Sequence, residues 1–189
     1  MKAVSRHGEP LPWYTYPTID FLKHRTYENK MILEFGGGQS TLWWAARAKH
    51  VVTMEGDRGW YETIKDTMPA NVDLFHIEMD SPAGCVAGVE QALATVPLPK
   101  FDVVVIDGLY RYEMIEVACQ RLAPEGVIIC DNAEGYGFYE GFRSREFARV
   151  DFFGNAPGVL LPHCTSVFFK PDSFLFRPQF PIPDIGTER

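Results

Sequence analysis

Short apolar runs bounded by glycine, proline or acidic residues alternate with amphipathic stretches along most of the chain. Residues 31–35 (MILEF), 51–55 (VVTME), 72–78 (VDLFHIE), 101–107 (FDVVVID) and 127–131 (VIICD) have the length and composition of buried strands. Between them, residues 40–49, 58–68, 88–96 and 112–122 read as helices. Ser40 is a natural N-cap for the first. In the second, Trp60, Tyr61, Ile64 and Met68 share a face and Pro69 stops the helix. In the fourth, Ile115, Ala118, Cys119 and Leu122 fall at core spacing. A Pro-rich turn follows residue 96, and Pro124-Glu125-Gly126 predicts another turn. Strand–helix alternation of this kind predicts an α/β fold, a doubly wound and mostly parallel sheet. After Asn132 the pattern changes. Residues 140–148 suggest one more helix. The runs 149–154 and 165–170 then read as strands with no convincing helix between them, which predicts an antiparallel C-terminal hairpin at one sheet edge.

This organisation divides the chain into a central domain, 31–170, and two flanking segments. The N-terminal segment, 1–30, carries Trp13, Tyr14 and Tyr16 ahead of a short helix-like stretch. These aromatics are placed either to lid a pocket or to plug one face of the sheet. The tail, 171–189, has four prolines among alternating apolar residues and reads as extended. At 189 residues the chain suits one compact core. No apolar run approaches the roughly 18 residues of a membrane span, and the first 14 residues lack the apolar centre of a signal peptide. The net charge of −7 disfavours a nucleic-acid partner. Cys85, Cys119, Cys130 and Cys164 are scattered without a C-x-x-C pair and read as reduced thiols of a cytoplasmic protein.

The chemistry concentrates at the carboxyl ends of the strands, where open parallel sheets bind ligands. The first strand ends at Glu34-Phe35 and runs into Gly36, Gly37 and Gly38, which allow close backbone approach to a ligand. The helix beginning near Ser40 adds free N–H groups. A dinucleotide fingerprint fits Gly36 and Gly38 but finds Thr41 at its third position, and a phosphate loop would need a lysine that is absent. A nucleoside without a pyrophosphate remains. Acid-x-Gly-x-Gly after the first strand, with Glu55 ending the second, resembles the class I S-adenosylmethionine-dependent methyltransferases. The resemblance implies a Rossmann-like seven-stranded fold. It also implies a cofactor loop of Glu34, Gly36, Gly37, Gly38 and Ser40, a ribose-binding carboxylate at Glu55, and Asp80 and Ser81 near the adenine. A carboxylate suits two ribose hydroxyls because it accepts more than one charge-assisted hydrogen bond.

A second constellation lies at the ends of strands four and five, Asp107-Gly108 and Asp131-Asn132. Two carboxylates and an amide on neighbouring strands offer the oxygen donors that Mg²⁺ takes. The arrangement, with "DGLYRYE" after strand four, resembles the metal-dependent O-methyltransferases. That resemblance implies a metal held by Asp107, Asp131 and Asn132, which would lower the pKa of an acceptor hydroxyl. At the position where those enzymes carry a His or Lys base, this chain has Tyr110, a poor base at neutral pH unless its pKa is shifted. Asp107 and Tyr110 are the catalytic candidates, and His163 is a reserve base. The competing reading leaves Asp107 and Asp131 as strand caps or direct acceptor contacts without metal. The expected activity is methyl transfer to a hydroxyl of a small molecule, sugar-like or phenolic, recognised by loops, the N-terminal segment or a second copy of the chain. A non-catalytic nucleoside-binding protein and a nicotinamide oxidoreductase are the rival readings.

Overall fold

A computed structural model describes residues 3–97 and 100–177. The Pro-rich turn after residue 97 falls partly outside these residues, and the extended tail falls outside them from residue 178 on. The elements are α1 (Tyr16–Lys23), β1 (Met31–Phe35), α2 (Gln39–Ala45), β2 (His50–Glu55), α3 (Arg58–Ile64), β3 (Val72–His76), α4 (Pro82–Thr95), β4 (Phe101–Ile106), α5 (Met114–Arg121), β5 (Leu122–Cys130), α6 (Phe138–Arg143), β6 (Ala148–Gly154) and β7 (His163–Phe169). They build one seven-stranded sheet of order β3-β2-β1-β4-β5-β7-β6. The first five strands run parallel, and β7 is antiparallel to both β5 and β6. The doubly wound sheet with its antiparallel C-terminal hairpin is the predicted architecture.

The two sheet faces carry separate cores, because alternate residues of a strand point to opposite sides. Leu33 and Phe35 of β1 join Val52, Met54, Val104 and Ile106 under α4, α5 and α6. Ile32 faces the other way with Val51, Val103 and Val105, under α1, α2 and the short 3-10 turn Phe174–Phe176. Trp43 and Trp44 of α2 are core residues, nearly perpendicular to each other and 4.7 Å apart at their ring centres. No helix among the described residues is long and apolar enough to cross a membrane.

Several boundaries differ from the sequence reading, among them α6, which spans Phe138–Arg143 rather than 140–148, and α2, which ends at Ala45; three others differ for a clear local reason. Helix α4 begins at Pro82 rather than near Gly88, because Ser81 caps it by accepting from the Gly84 N–H at 3.0 Å and proline suits a first helical turn. Helix α3 ends at Ile64 and tightens into a 3-10 turn over Lys65–Thr67 before Pro69. The Pro124-Glu125-Gly126 segment lies within β5, where the register with β4 shifts between Phe101 and Val103 and absorbs the extra residues.

Candidate active site

Strand order reverses between β1 and β4, so the loops leaving these two strands diverge and open a cleft. Gly36 and Gly108 sit at that point with their backbones in contact. A Cβ on Gly36 would lie 2.8 Å from the Gly108 nitrogen, and Gly36 has φ +100°. The cleft is a cavity of about 620 Å³, within the usual range for small-ligand sites. One end is lined by Gly36, Gly37, Gly38, Ser40 and Glu55; the other by Asp107, Gly108, Arg111, Asp131, Asn132 and His163.

At the first end, Glu55 closes β2 and is nearly buried. Its Oε2 accepts from the Gly37 N–H at 2.8 Å and its Oε1 from the Asp57 N–H at 2.7 Å. Each oxygen spends one bond on the protein, and a carboxylate has about four lone-pair sites. Acceptor capacity therefore remains for a ligand. Trp60, which shares a helix face with Ile64, donates from Nε1 to the Gly37 carbonyl at 2.7 Å, and the residue lines the cavity. Gly38 has extended backbone and nothing nearer than 3.9 Å to an added Cβ, so it borders open space.

Glu34 does not line the cavity. It lies fully buried beneath the loop, on the α2 face of the sheet. There it accepts from Thr41 Oγ1 at 2.5 Å and Thr53 Oγ1 at 3.1 Å, while Thr41 Oγ1 also takes the Gly38 N–H at 3.0 Å. Glu34 thus positions the loop from below. Burial lifts its carboxyl up to about 7, against the opposing hydroxyls of Ser40, Thr41 and Thr53. Asp80 and Ser81 are exposed at the β3–α4 junction and are not part of the cavity lining. Ser81 is engaged as the α4 cap.

At the second end the three acidic and amide groups, Asp107, Asp131 and Asn132, have partners of their own. Asp131, only 3% exposed, accepts from Thr165 Oγ1 at 2.6 Å and lies 3.2 Å from His163 Nε2. Thr165 Oγ1 in turn receives the Thr15 N–H at 3.0 Å, which ties the N-terminal segment to the site. That segment does both things its aromatics suggested. Trp13 lines the cavity and is 48% exposed, while Tyr14 is fully buried and receives Trp44 Nε1 at 3.1 Å. Burial, followed by the charge of Asp131, drives the Asp107 carboxyl upward, and Arg111 pulls it back. The hydrogen bond to Asp131 raises His163.

The Mg²⁺ expectation meets this geometry directly. The Arg111 guanidinium bonds Asn132 Oδ1 at 3.0 Å and lies 3.2 Å from Asp107 Oδ1. Two of the three proposed metal donors are therefore committed to a permanent cation, and one oxygen of the third to Thr165 and His163. As placed, the set does not fit a divalent ion. Among the described residues no cluster of three His, Cys, Asp or Glu side chains is positioned to hold one. Tyr110 also departs from its expected role: its hydroxyl donates to the Met79 carbonyl at 3.1 Å, and it does not line the cavity. The lining residues that sequence reasoning passed over include Asp57, Trp60 and Arg111. Arg111 was visible immediately before the 112–122 helix pattern, but nothing in the pattern signalled that its side chain folds back.

The raised groups make a signed prediction. A carboxyl whose folded pKa lies above its unfolded value costs stability as pH rises through the interval between them. For Glu34 that interval runs from its ordinary 4.5 to about 7. Asp107 acts in the same direction. His163, raised when folded, contributes stability fully below its ordinary 6.5 and loses it as pH rises through its folded pKa. All three effects favour the acidic side. The melting temperature is expected to fall between pH 5 and pH 8, with Glu34 contributing up to about 3 kcal/mol. Glu34→Gln should flatten the part of the slope below pH 7. A differential scanning fluorimetry profile that rises over this range in wild type would contradict the assignment.

The arrangement of a seven-stranded 3-2-1-4-5-7-6 sheet, a glycine loop after β1 and an acid ending β2 is the fold of the class I S-adenosylmethionine-dependent methyltransferases. Solved structures agree. Precorrin-6y C5,15-methyltransferase from Geobacter metallireducens superposes with a TM-score of 0.59 at 16% identity, over 81% of this chain and 86% of that one. The N-methyltransferase NodS from Bradyrhizobium japonicum gives 0.55 at 14% identity, over 81% and 93%. SMU.1697c from Streptococcus mutans, solved in complex with SAH, gives 0.52 at 14% identity, over 80% and 93%. No protein-family model and no curated protein sequence matches the chain.

Proposed function

We propose that the protein is an S-adenosylmethionine-dependent methyltransferase that acts on a hydroxyl oxygen of a small molecule. The observation that carries this reading is one cavity joining Glu55, at the end of β2, to Asp107, at the end of β4, across the glycine loop. The cofactor supplies an electrophilic methyl group on a sulfonium. Glu55 would hold the ribose hydroxyls through its remaining acceptor capacity, and the backbone of Gly36–Gly38 would help to hold the rest of the cofactor. Asp107 faces the acceptor end and takes the hydrogen bond, then the proton, of the attacking hydroxyl. An upward-shifted carboxylate is better matched to that task near neutral pH than an ordinary one. Trp13 covers part of the cavity and excludes water. The rest of the task is alignment for in-line displacement.

The comparisons support the fold while their acceptors differ, since one carries the name of a C5,15-methyltransferase and another of an N-methyltransferase. Oxygen is preferred here because the acceptor end presents carboxylates able to take a hydroxyl proton. The acidic net charge supports a small acceptor over a nucleic acid. The four unpaired cysteines support a cytoplasmic setting. A dinucleotide fits less well, because the Thr41 hydroxyl at the third fingerprint position is spent on Glu34 and the Gly38 N–H.

Calorimetry with S-adenosylmethionine, S-adenosylhomocysteine and NADH tests the cofactor. Binding of the first two and not the third is expected, followed by label transfer to a hydroxyl in an acceptor panel. Binding of NADH alone would overturn the reading, and binding without transfer would favour a non-catalytic role. Glu55→Ala should weaken S-adenosylhomocysteine about ten- to a hundredfold, the loss of a charge-assisted bond. It should also cost about 1–3 kcal/mol of stability, because the Gly37 and Asp57 N–H groups lose their acceptor. Unchanged affinity in a folded variant would remove the ribose assignment.

A further inference from the structure

Arg111 leaves the β4–α5 loop and turns back into the cleft between the ends of β4 and β5. Leu109, two residues earlier, has φ +59°, a left-handed turn that a leucine rarely takes. The guanidinium is then held on several sides. Its Nη1 donates to the Asp131 carbonyl at 2.6 Å and to Asn132 Oδ1 at 3.0 Å. Its Nη2 donates to the Asp107 carbonyl at 2.7 Å and pairs with Asp107 Oδ1 at 3.2 Å. The two terminal nitrogens carry four N–H donors; three make hydrogen bonds, and the Asp107 carboxylate completes the cage as an ion pair. The Tyr136 ring covers the guanidinium at 4.5 Å from its centre, and the side chain is only 13% exposed.

We propose that Arg111 is a built-in cation that stands where related oxygen-methylating sites would place a divalent metal, and that it closes this position to metal ions. Both kinds of cation answer the same electrostatic need, the convergence of Asp107 and Asp131 on adjacent strands. An ion the size of Mg²⁺ requires oxygens at about 2.0–2.1 Å around a near-octahedral centre. Here two of the donors lie about 3 Å from nitrogen and point into a planar fork, the geometry that suits a guanidinium. Arginine stays charged at any working pH and a chelator does not remove it. Arg111 is a positioning residue: it fixes the Asp107 carboxylate and joins the ends of β4 and β5 at the acceptor end of the cavity.

The inference rests on reading this end as the acceptor site, yet its test needs no acceptor. Mn²⁺ is titrated into the full chain and free ion is followed by electron paramagnetic resonance, with and without S-adenosylhomocysteine. Wild type is expected to bind no stoichiometric Mn²⁺. Arg111→Met keeps an unbranched apolar stem and removes the guanidinium, freeing Asp107 and Asn132. It should bind one Mn²⁺ at least tenfold more tightly than wild type and lose that gain when Asp107→Asn is added. Arg111→Lys, which keeps the charge, should show no gain. One Mn²⁺ per wild-type chain, abolished by Asp131→Asn, would overturn the proposal. So would a folded Arg111→Met that binds no better than wild type. If Arg111→Met does not fold, the wild-type titration decides alone. Failure of the methyltransferase reading would show separately, as absence of S-adenosylhomocysteine binding in calorimetry.

Discussion

Gly38→Val is expected to abolish cofactor binding and leave the protein folded. Gly38 has φ 169°, extended backbone that any residue adopts, so the substitution carries no conformational penalty of the left-handed kind. A Cβ there meets only the Trp60 ring, at 3.9 Å. The two branched methyl groups would project into the cavity where the loop backbone approaches the ligand. Substitutions that disturb no packing usually stay within about 0.5 kcal/mol, which for a chain of this size moves the melting temperature by about 1–2 °C. The loop cannot withdraw to make room, since Trp60 and Glu55 fix the Gly37 backbone by hydrogen bonds to its carbonyl and N–H. Affinity for S-adenosylhomocysteine should fall by about a hundredfold or more, equivalent to roughly 3 kcal/mol. Calorimetry together with a melting curve checks it. Ordinary affinity in the variant would show that the ligand does not pass over Gly38, and would move the cofactor away from the glycine loop.

The strands were legible because each is a short apolar run closed by a polar or glycine residue, and a parallel sheet buries such runs on both faces. The hairpin was legible from what the sequence lacks, a helix between residues 154 and 165. Topology then made half of the site legible: Glu55 ends β2 and Asp107 follows β4, the strands on either side of β1, and their carboxyl ends share one edge. What stayed hidden depends on side-chain direction within loops. Tyr110 follows Asp107 closely, yet its hydroxyl turns to Met79 on the far side of the loop, while Arg111 turns inward. Periodicity says nothing about a segment of irregular backbone that includes Leu109 at positive φ. Trp13 and His163 were legible only as an aromatic that could lid a pocket or plug the sheet and as a reserve base; their meeting at one cavity was not. They reach the cavity through contacts such as Thr15 to Thr165, separated by 150 residues, and no local pattern encodes that distance. Glu34 was found as an acid at the end of β1, but its face was not: in β1 it takes a buried position beside Ile32, so it supports the loop rather than touching the cavity.

Gly36→Ala should do the opposite of Gly38→Val, and damage the fold along with the site. The two glycines lie two residues apart in one loop, but only Gly36 has a left-handed backbone, at φ +100°. An alanine held there costs about 1–3 kcal/mol. Its Cβ would also lie 2.8 Å from the Gly108 nitrogen and 2.9 Å from the Gly108 Cα. Those are backbone atoms, which no rotamer change can clear, so β1 and β4 must part at the switch point; overpacking of this kind costs about 1–3 kcal/mol. Together the two effects amount to about 2–6 kcal/mol, a large fraction of the roughly 5–15 kcal/mol that holds a domain folded. A melting temperature lower by about 10 °C is expected, at some 2–4 °C per kcal/mol for a chain of this length. Gly108→Ala should behave alike, since its Cβ would lie 2.6 Å from the Gly36 Cα. Because the same contact sets the spacing between the glycine loop and Asp107, any folded Gly36→Ala should also bind S-adenosylhomocysteine less tightly. The control is Gly38→Ala, whose Cβ has room, and which should melt close to wild type. If Gly36→Ala and Gly38→Ala melt together, the backbone contact between β1 and β4 does not set the geometry of the cleft.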